Sequence, residues 1–150
     1  MIPKTDTDEK GLLKKISCFA LDMDGTVYLG EKWIEGARDF LEAVENAGKT
    51  YVFLTNNSSK SPESYLEKLE RMGLKAGPER IVTSGMATIS YLKAHFPGKR
   101  VYLLGNELLK EEFAQEGILL DEQAPEVVTL GFDTTLTYEK LCRVCDLVRE

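Results

Sequence analysis

The chain has 150 residues, of which 43% are hydrophobic and 29% charged, a balance that gives one sizeable core and leaves no room for two large ones. Its formal net charge of -6 excludes general nucleic-acid binding, because an acidic surface repels a phosphate backbone and no Lys/Arg cluster reverses that locally. No run approaches the roughly 18 apolar residues that cross a bilayer, and the polar start Met1 to Lys15 lacks the apolar stretch of a secretion signal, so no membrane partner and a cytoplasmic location are expected.

After a flexible leader over residues 1–15, the apolar run Ile16 to Leu21 reads as a buried strand ending in Asp-Met-Asp-Gly-Thr. Gly30-Glu31, flanked by Val27 to Leu29 and Lys32 to Ile34, suits a tight type II′ turn and predicts a small flap. Glu35 to Ala47 repeats apolar residues at helical spacing and stops at Gly48, a glycine C′ cap. Tyr51 to Leu54 is a second strand, closed by the turn-forming Thr55-Asn56-Asn57-Ser58-Ser59. Ser61-Pro62 then opens a helix that Gly73 ends, with Ser as N-cap and Pro at N1. The alternation continues with strands at 80–82, 100–104 and 126–132 and helices at 84–95, 107–116 and from Tyr138 onward. Strand and helix in such alternation predict an α/β fold with a Rossmann-like parallel sheet.

Asp22-Met23-Asp24-Gly25-Thr26 carries the strongest chemical signal, because ligands of open α/β sheets bind at the carboxyl ends of strands. Carboxylates at i and i+2 of extended chain face the same side, so both can address one substrate group. Gly25 permits a sharp turn after them. The bland alternative, that Asp and Gly merely form a turn after a strand, applies to any bare D-x-D.

Phe19 to Tyr28, with Asp22-Met23-Asp24-Gly25-Thr26 at its centre, resembles the first motif of the haloacid dehalogenase superfamily, and Phe53-Leu54-Thr55-Asn56-Asn57-Ser58 resembles the second. The double Asn and the flap are similar to the NagD-like and p-nitrophenyl phosphatase branch, whose cap domain is inserted after the second motif. Val101 to Gly105 and Val127 to Asp133 are similar to segments of that cap. The resemblance implies a Mg²⁺-dependent hydrolase of small phosphate monoesters that works through an aspartyl-phosphate. Asp22 is then the nucleophile and Asp24 the general acid and base, with the Asp22 carboxylate and the Asp24 carbonyl as metal ligands. Thr55, Asn56 and Asn57 are implied to lie at the substrate, where the Thr55 hydroxyl and the following N–H groups can hold phosphoryl oxygens. Residues 16–82 become the first part of the catalytic core and 83–150 the start of an α/β cap.

That family's site also needs a lysine and a later acidic loop, and neither motif occurs here. The chain is therefore expected to be incomplete as a catalyst, finished by other sequence, by a complementing fragment or by a homo-oligomer. Two alternatives remain open: a phosphate- and metal-binding module without turnover, and a receiver-like phospho-acceptor domain, although receivers carry the acceptor Asp after a later strand. One flavodoxin-like sheet containing all five strands is the alternative architecture.

Other features read as structural. Cys18, Cys142 and Cys145 are too few and too scattered for a disulfide framework, and Cys142 and Cys145 lack a second pair to complete a zinc site. On a helix with Leu141, Val144 and Val148 they read as packing residues. His95 reads as a capping or surface residue, Lys60 as a solvated loop residue, and Asp133 as an ordinary strand-end aspartate.

Overall fold

The computed structural model describes residues 9–149. It forms two compact units, one ending at Phe53 and the other beginning at Leu54.

In the first unit, part of the expected flexible leader is a helix, α1 (Glu9–Lys15); residues 1–8 of that leader lie outside the described residues. Lys14 and Lys15 occupy its last turn, where positive charge suits the carbonyl end of the helix dipole. Strand β1 (Cys18–Asp22) forms, but it is not the buried strand its apolar run suggests: Phe19 and Leu21 are half-buried while Cys18, Ala20 and Asp22 are exposed. Only one face is covered, where Phe19 meets Phe40 edge-on with ring centroids 5.4 Å apart.

The flap is β2 (Tyr28–Leu29) paired antiparallel with β3 (Lys32–Trp33), Leu29 opposite Lys32. Gly30 has φ +60° and no described non-glycine residue has positive φ, so Glu31 follows with negative φ, the sign pattern of a II′ turn and not of I′. Helix α2 (Ala37–Asn46) buries Leu41 and Val44. It ends at Gly48, φ 67°, whose N–H donates to Glu45 O at 2.9 Å while that of Lys49 donates to Val44 O at 3.1 Å. That pair of bonds is a Schellman motif, and its left-handed residue is why glycine stands there. Strand β4 (Thr50–Thr55), neighbour of β1, carries the chain into the second unit.

The second unit opens with α3 (Pro62–Arg71), capped as expected by Ser61, whose hydroxyl accepts from Ser64 N at 3.4 Å. A 3-10 turn, Pro78–Arg80, leads to β5 (Ile81–Thr83), then α4 (Ser84–His95), β6 (Arg100–Leu104), α5 (Glu107–Gln115), β7 (Leu119–Leu120), β8 (Val127–Leu130) and α6 (Tyr138–Arg149). Strands β7-β6-β8 form a parallel sheet of their own, with Val101 beside Val127 and Leu104 beside Leu130. The flavodoxin-like alternative of one five-stranded sheet therefore does not form. Strand β7 escapes a reading by hydrophobic period because two residues are too short to show one.

The core beneath this sheet holds Ile89, Leu92, Val101, Leu103, Leu109 and Phe113. On the other face Val144 and Leu147 of α6 pack with Tyr102, Leu104 and Val128. Leu141 and Val148, expected on the packing face, are exposed, since Val144 and Leu147 set a different stripe. No helix among the described residues is long and apolar enough to cross a membrane.

Leu109, 2% exposed, is seated among glycines. A Cβ on Gly105 would come within 2.9 Å of its Cδ2 methyl, and one on Gly85 within 3.0 Å of Cδ1. A Cβ on Gly131 would overlap Cδ2 and lie 2.9 Å from Ser58 Oγ. Because the methyl is enclosed, it cannot yield without repacking. Gly131→Ala should therefore destabilise the chain by about 1–3 kcal/mol, the usual cost of overpacking, and a denaturant midpoint equal to that of wild type would contradict this.

Candidate active site

The acidic loop belongs to the first unit and takes its shape from one buried residue. Met23 is fully buried at 0% exposure, while Asp22 and Asp24 on either side are exposed. Alternation of the extended chain therefore puts both carboxylates on the side opposite the methionine, as their spacing predicts. The Met23 carbonyl accepts from Thr26 N at 3.3 Å, Val27 N at 3.0 Å and Tyr28 N at 3.3 Å, and Gly25 N donates to Tyr28 O at 2.7 Å. Gly25 adopts φ +87°, and nothing lies within 4 Å of where its Cβ would be, so conformation and not space demands glycine. The Thr26 hydroxyl donates to Asp22 Oδ2 at 3.2 Å, which orients that carboxylate.

The loop after β4 lies in the second unit. Thr55 is 7% exposed, and its Oγ1 accepts from Asn57 N at 3.2 Å and lies 3.5 Å from the Tyr65 hydroxyl. The Asn57 carboxamide oxygen accepts from Ser59 N at 2.9 Å and Ser59 Oγ at 2.7 Å, an Asx turn. Asn56 is exposed. Among the described residues, the backbone N–H groups of Asn56 and Ser58 have no partner, whereas those of Asn57 and Ser59 are bonded within the loop. A cavity of about 180 Å³ opens beside it, lined by Asn56, Ser58, Ser84, Thr88, Thr129 and Phe132, among others.

Thr55, Asn56 and Asn57 thus share one loop, and Asp22 and Asp24 share one side of another. Three residues that shape the second loop escape a reading of the sequence: Ser58, whose Oγ accepts from Phe132 N at 2.7 Å, Ser84, whose Oγ donates to Asn56 O at 3.0 Å, and Asn106, whose Nδ2 donates to Ser59 O at 2.8 Å. Their partners lie 74, 28 and 47 positions away. Only Asn106 leaves a local trace, as an N-cap before a helical run.

The residues set aside from the chemistry have ordinary surroundings. Lys60 is exposed, with Nζ 6.0 Å from the Tyr65 ring centroid. His95 is exposed beside Tyr91, ring centroids 4.3 Å apart. Cys142 is half-buried, whereas Cys145 is exposed and not the packing residue expected, because it follows Val144 around the helix, away from the sheet.

The sequence pattern of haloacid dehalogenase-like hydrolases matches residues 19–119. The acid sugar phosphatase of Staphylococcus aureus is 37% identical over 130 residues, which cover 86% of this chain and 50% of that protein. The chain thus spans about half the length of the curated relatives it matches. The crystal structure of 4-nitrophenylphosphatase from Thermotoga maritima is similar with a TM-score of 0.87 at 43% identity, over 92% of this chain and 53% of that one. NagD from E. coli K-12 gives a TM-score of 0.79 at 24% identity, over 89% of this chain and 53% of that one, a likeness of fold alone.

Asp133 completes an internal cluster. Its side chain is 1% exposed; Oδ1 accepts from Thr135 N and Oγ1, both at 2.7 Å, and Oδ2 accepts from Lys140 Nζ at 2.8 Å. Burial pushes its pKa up, but the bonds from Lys140 and Thr135 outweigh this and hold it below the usual carboxylate value. A depressed native pKa gives stability that is full above the unfolded value, 3.8, and is lost as pH falls through the native one. Asp133→Asn should therefore cost about 1.5–3 kcal/mol at neutral pH, the range for a charged hydrogen bond. The gap between wild type and variant, measured by denaturant unfolding, should shrink below about pH 4; a gap that stays constant down to pH 2 would refute the ionic account.

Proposed function

Because the chain belongs to the family of haloacid dehalogenase-like hydrolases, we propose that its acidic loop supplies the nucleophile and the proton carrier of a phosphate-monoester hydrolase. One observation carries this reading: Asp22 and Asp24 stand exposed on one side of the chain, immediately after β1, over a buried Met23.

An Asp22 carboxylate oxygen attacks phosphorus, the bond to the leaving oxygen breaks, and that oxygen takes a proton from the Asp24 carboxyl. The products of this step are an alcohol and an acyl-phosphate on Asp22. Water then attacks phosphorus and gives its proton to Asp24, the bond to Asp22 breaks, and inorganic phosphate leaves with both groups restored. The Thr26 hydroxyl keeps Asp22 oriented through both displacements. Thr55, Asn56 and Asn57 form the substrate-binding loop, with the Thr55 hydroxyl and the N–H groups of Asn56 and Ser58 as donors to phosphoryl oxygens.

The donor set suits Mg²⁺, a hard cation that prefers oxygen. The Asp22 carboxylate and the Asp24 carbonyl would hold it. When bound, it would offset the repulsion between a phosphoryl dianion and the Asp22 carboxylate. Among the described residues no group of three or more His, Cys, Asp or Glu could hold a metal, so these two would be part of a coordination shell. That observation also favours the second reading, a phosphate- and metal-binding module without turnover unless other sequence, a complementing fragment or a second copy completes it.

The names of the relatives point to small organic phosphates as the substrate class. We assign residues 16–82 to the first part of the catalytic core and 83–150 to the start of the cap, an assignment supported by the separate parallel sheet β7-β6-β8. Three free cysteines among the described residues support a reducing, cytoplasmic setting.

Hydrolysis of p-nitrophenyl phosphate with and without Mg²⁺ separates the two readings: metal-dependent release of nitrophenol supports the enzyme, and phosphate binding without release supports the module. In protein that turns over, Asp22→Asn should abolish activity, since an amide keeps the shape but loses the anionic nucleophile; retention of more than about a few per cent of the rate would overturn the assignment. Asp24→Asn should slow alkyl phosphates far more than the nitrophenyl ester, whose leaving group needs little protonation. Equal losses for both esters would remove Asp24 from the acid role.

A further inference from the structure

The loop Asn56–Ser59 is held from outside itself by the three side-chain contacts already described, and one of them differs from the others. Asn106 is 7% exposed and uses both ends of its carboxamide. Oδ1 accepts from Leu109 N at 3.1 Å, capping α5, while Nδ2 donates to Ser59 O at 2.8 Å. Reversing the carboxamide would set donor against donor at one end and acceptor against acceptor at the other, so the two contacts fix its orientation together. Leu109, whose N–H it caps, is the leucine enclosed by Gly85, Gly105 and Gly131. The anchor of the loop is therefore itself anchored in the core.

We infer that Asn106 is a positioning residue, which ties the loop Asn56–Ser59 to the first turn of α5 and so holds the unpaired N–H groups of Asn56 and Ser58 in the arrangement that receives phosphoryl oxygens. The receiving role rests on the function proposed above; the tie itself does not. The physical need is clear. Phosphate oxygens are stabilised by donors already in place, and a loop free to reorganise loses that advantage. Intrinsic turn chemistry orders Asn57 and Ser59 locally, but only bonds from outside fix where the loop stands. Ser84 on Asn56 O and Phe132 N on Ser58 Oγ hold its other residues. Asn106 holds the end that leads into α3.

The decisive variant is Asn106→Asp. Aspartate caps a helix as well as asparagine does, so α5 keeps its first turn, while the donor to Ser59 O is lost. Amide exchange and ¹⁵N spectra of the 150-residue chain should show Leu109 unchanged. The Lys60 resonance, whose peptide plane contains the Ser59 carbonyl, should shift, and the bonded amides of Asn57 and Ser59 should exchange at least about tenfold faster, as expected when a local tie of ordinary strength is removed. Affinity for inorganic phosphate with Mg²⁺ present should fall about tenfold, with Thr55→Ala as the comparison. Unchanged exchange at Asn57 and Ser59, or loosening that spreads equally through α5, overturns the inference. If the loop loosens while wild type binds no phosphate, or binds it as well as Thr55→Ala does, the tie stands and the receiving role falls with the proposed function. Should Asn106→Asp fail to fold, Asn106→Ser, a neutral cap too short to reach Ser59, is read by the same signals.

Discussion

The Met23 carbonyl accepts hydrogen bonds from three successive N–H groups, those of Thr26, Val27 and Tyr28. Where a strand stops, its backbone groups lose their ladder partners and need others. Here a single oxygen gathers the donors that would otherwise be orphaned, and the chain turns around it. The Met23 side chain is buried at the same time, so the turn is fixed from within as well as from the backbone. The chain on either side of Met23 thereby exposes Asp22 and Asp24, and the Thr26 hydroxyl in the same turn orients the Asp22 carboxylate. The flap that follows depends on the same turn, since Tyr28 is at once a donor to Met23 and the first residue of β2.

The second unit meets the same requirement by a different route. After β4 the backbone is satisfied by side chains: Thr55 and Asn57 from within the loop, and Ser84 and Asn106 from distant segments. A turn closed on one carbonyl is a local construction and survives changes elsewhere. A loop held by two side chains and one backbone N–H from three later segments is only as well ordered as those segments. The acidic loop is thus specified over a handful of residues, the Thr55 loop over most of its unit.

That difference explains what the sequence could reveal. The Asp-Met-Asp-Gly-Thr turn, the Gly30-Glu31 flap, the Gly48 cap and the Ser61-Pro62 helix start all arise from neighbours in the chain, and all form as local rules predict. The roles of Asn106 and Ser58 depend on partners 47 and 74 positions away, which no periodicity encodes. The exposed face of β1 and the packing stripe of α6 depart from the sequence pattern for a related reason. An apolar run shows that a segment can be buried, but what covers each side is decided elsewhere in the fold. Leu141 and Val148 have the spacing of a packing face, and Val144 with Leu147 wins because those two meet Tyr102, Leu104 and Val128.

The Schellman turns have a consequence for where this architecture can vary. Gly48, Gly73 and Gly117 each close a helix with the same pair of bonds, and residues 47–49 and 116–118 are all that separate α2 from β4 and α5 from β7. Helix-to-strand connections of that kind are fully committed: their hydrogen bonds are spent and their conformation is dictated by a left-handed residue. The strand-to-helix connections 23–36 and 56–61 are longer, the first turning on the Met23 carbonyl and the second closed by side chains. Insertions or altered chemistry can be accepted in those two connections without disturbing a helix terminus, whereas a single added residue in the helix-to-strand turns would break one. Diversification among proteins built on this plan is thereby channelled to the same ends of the strands that present the carboxylates and the Thr55 loop.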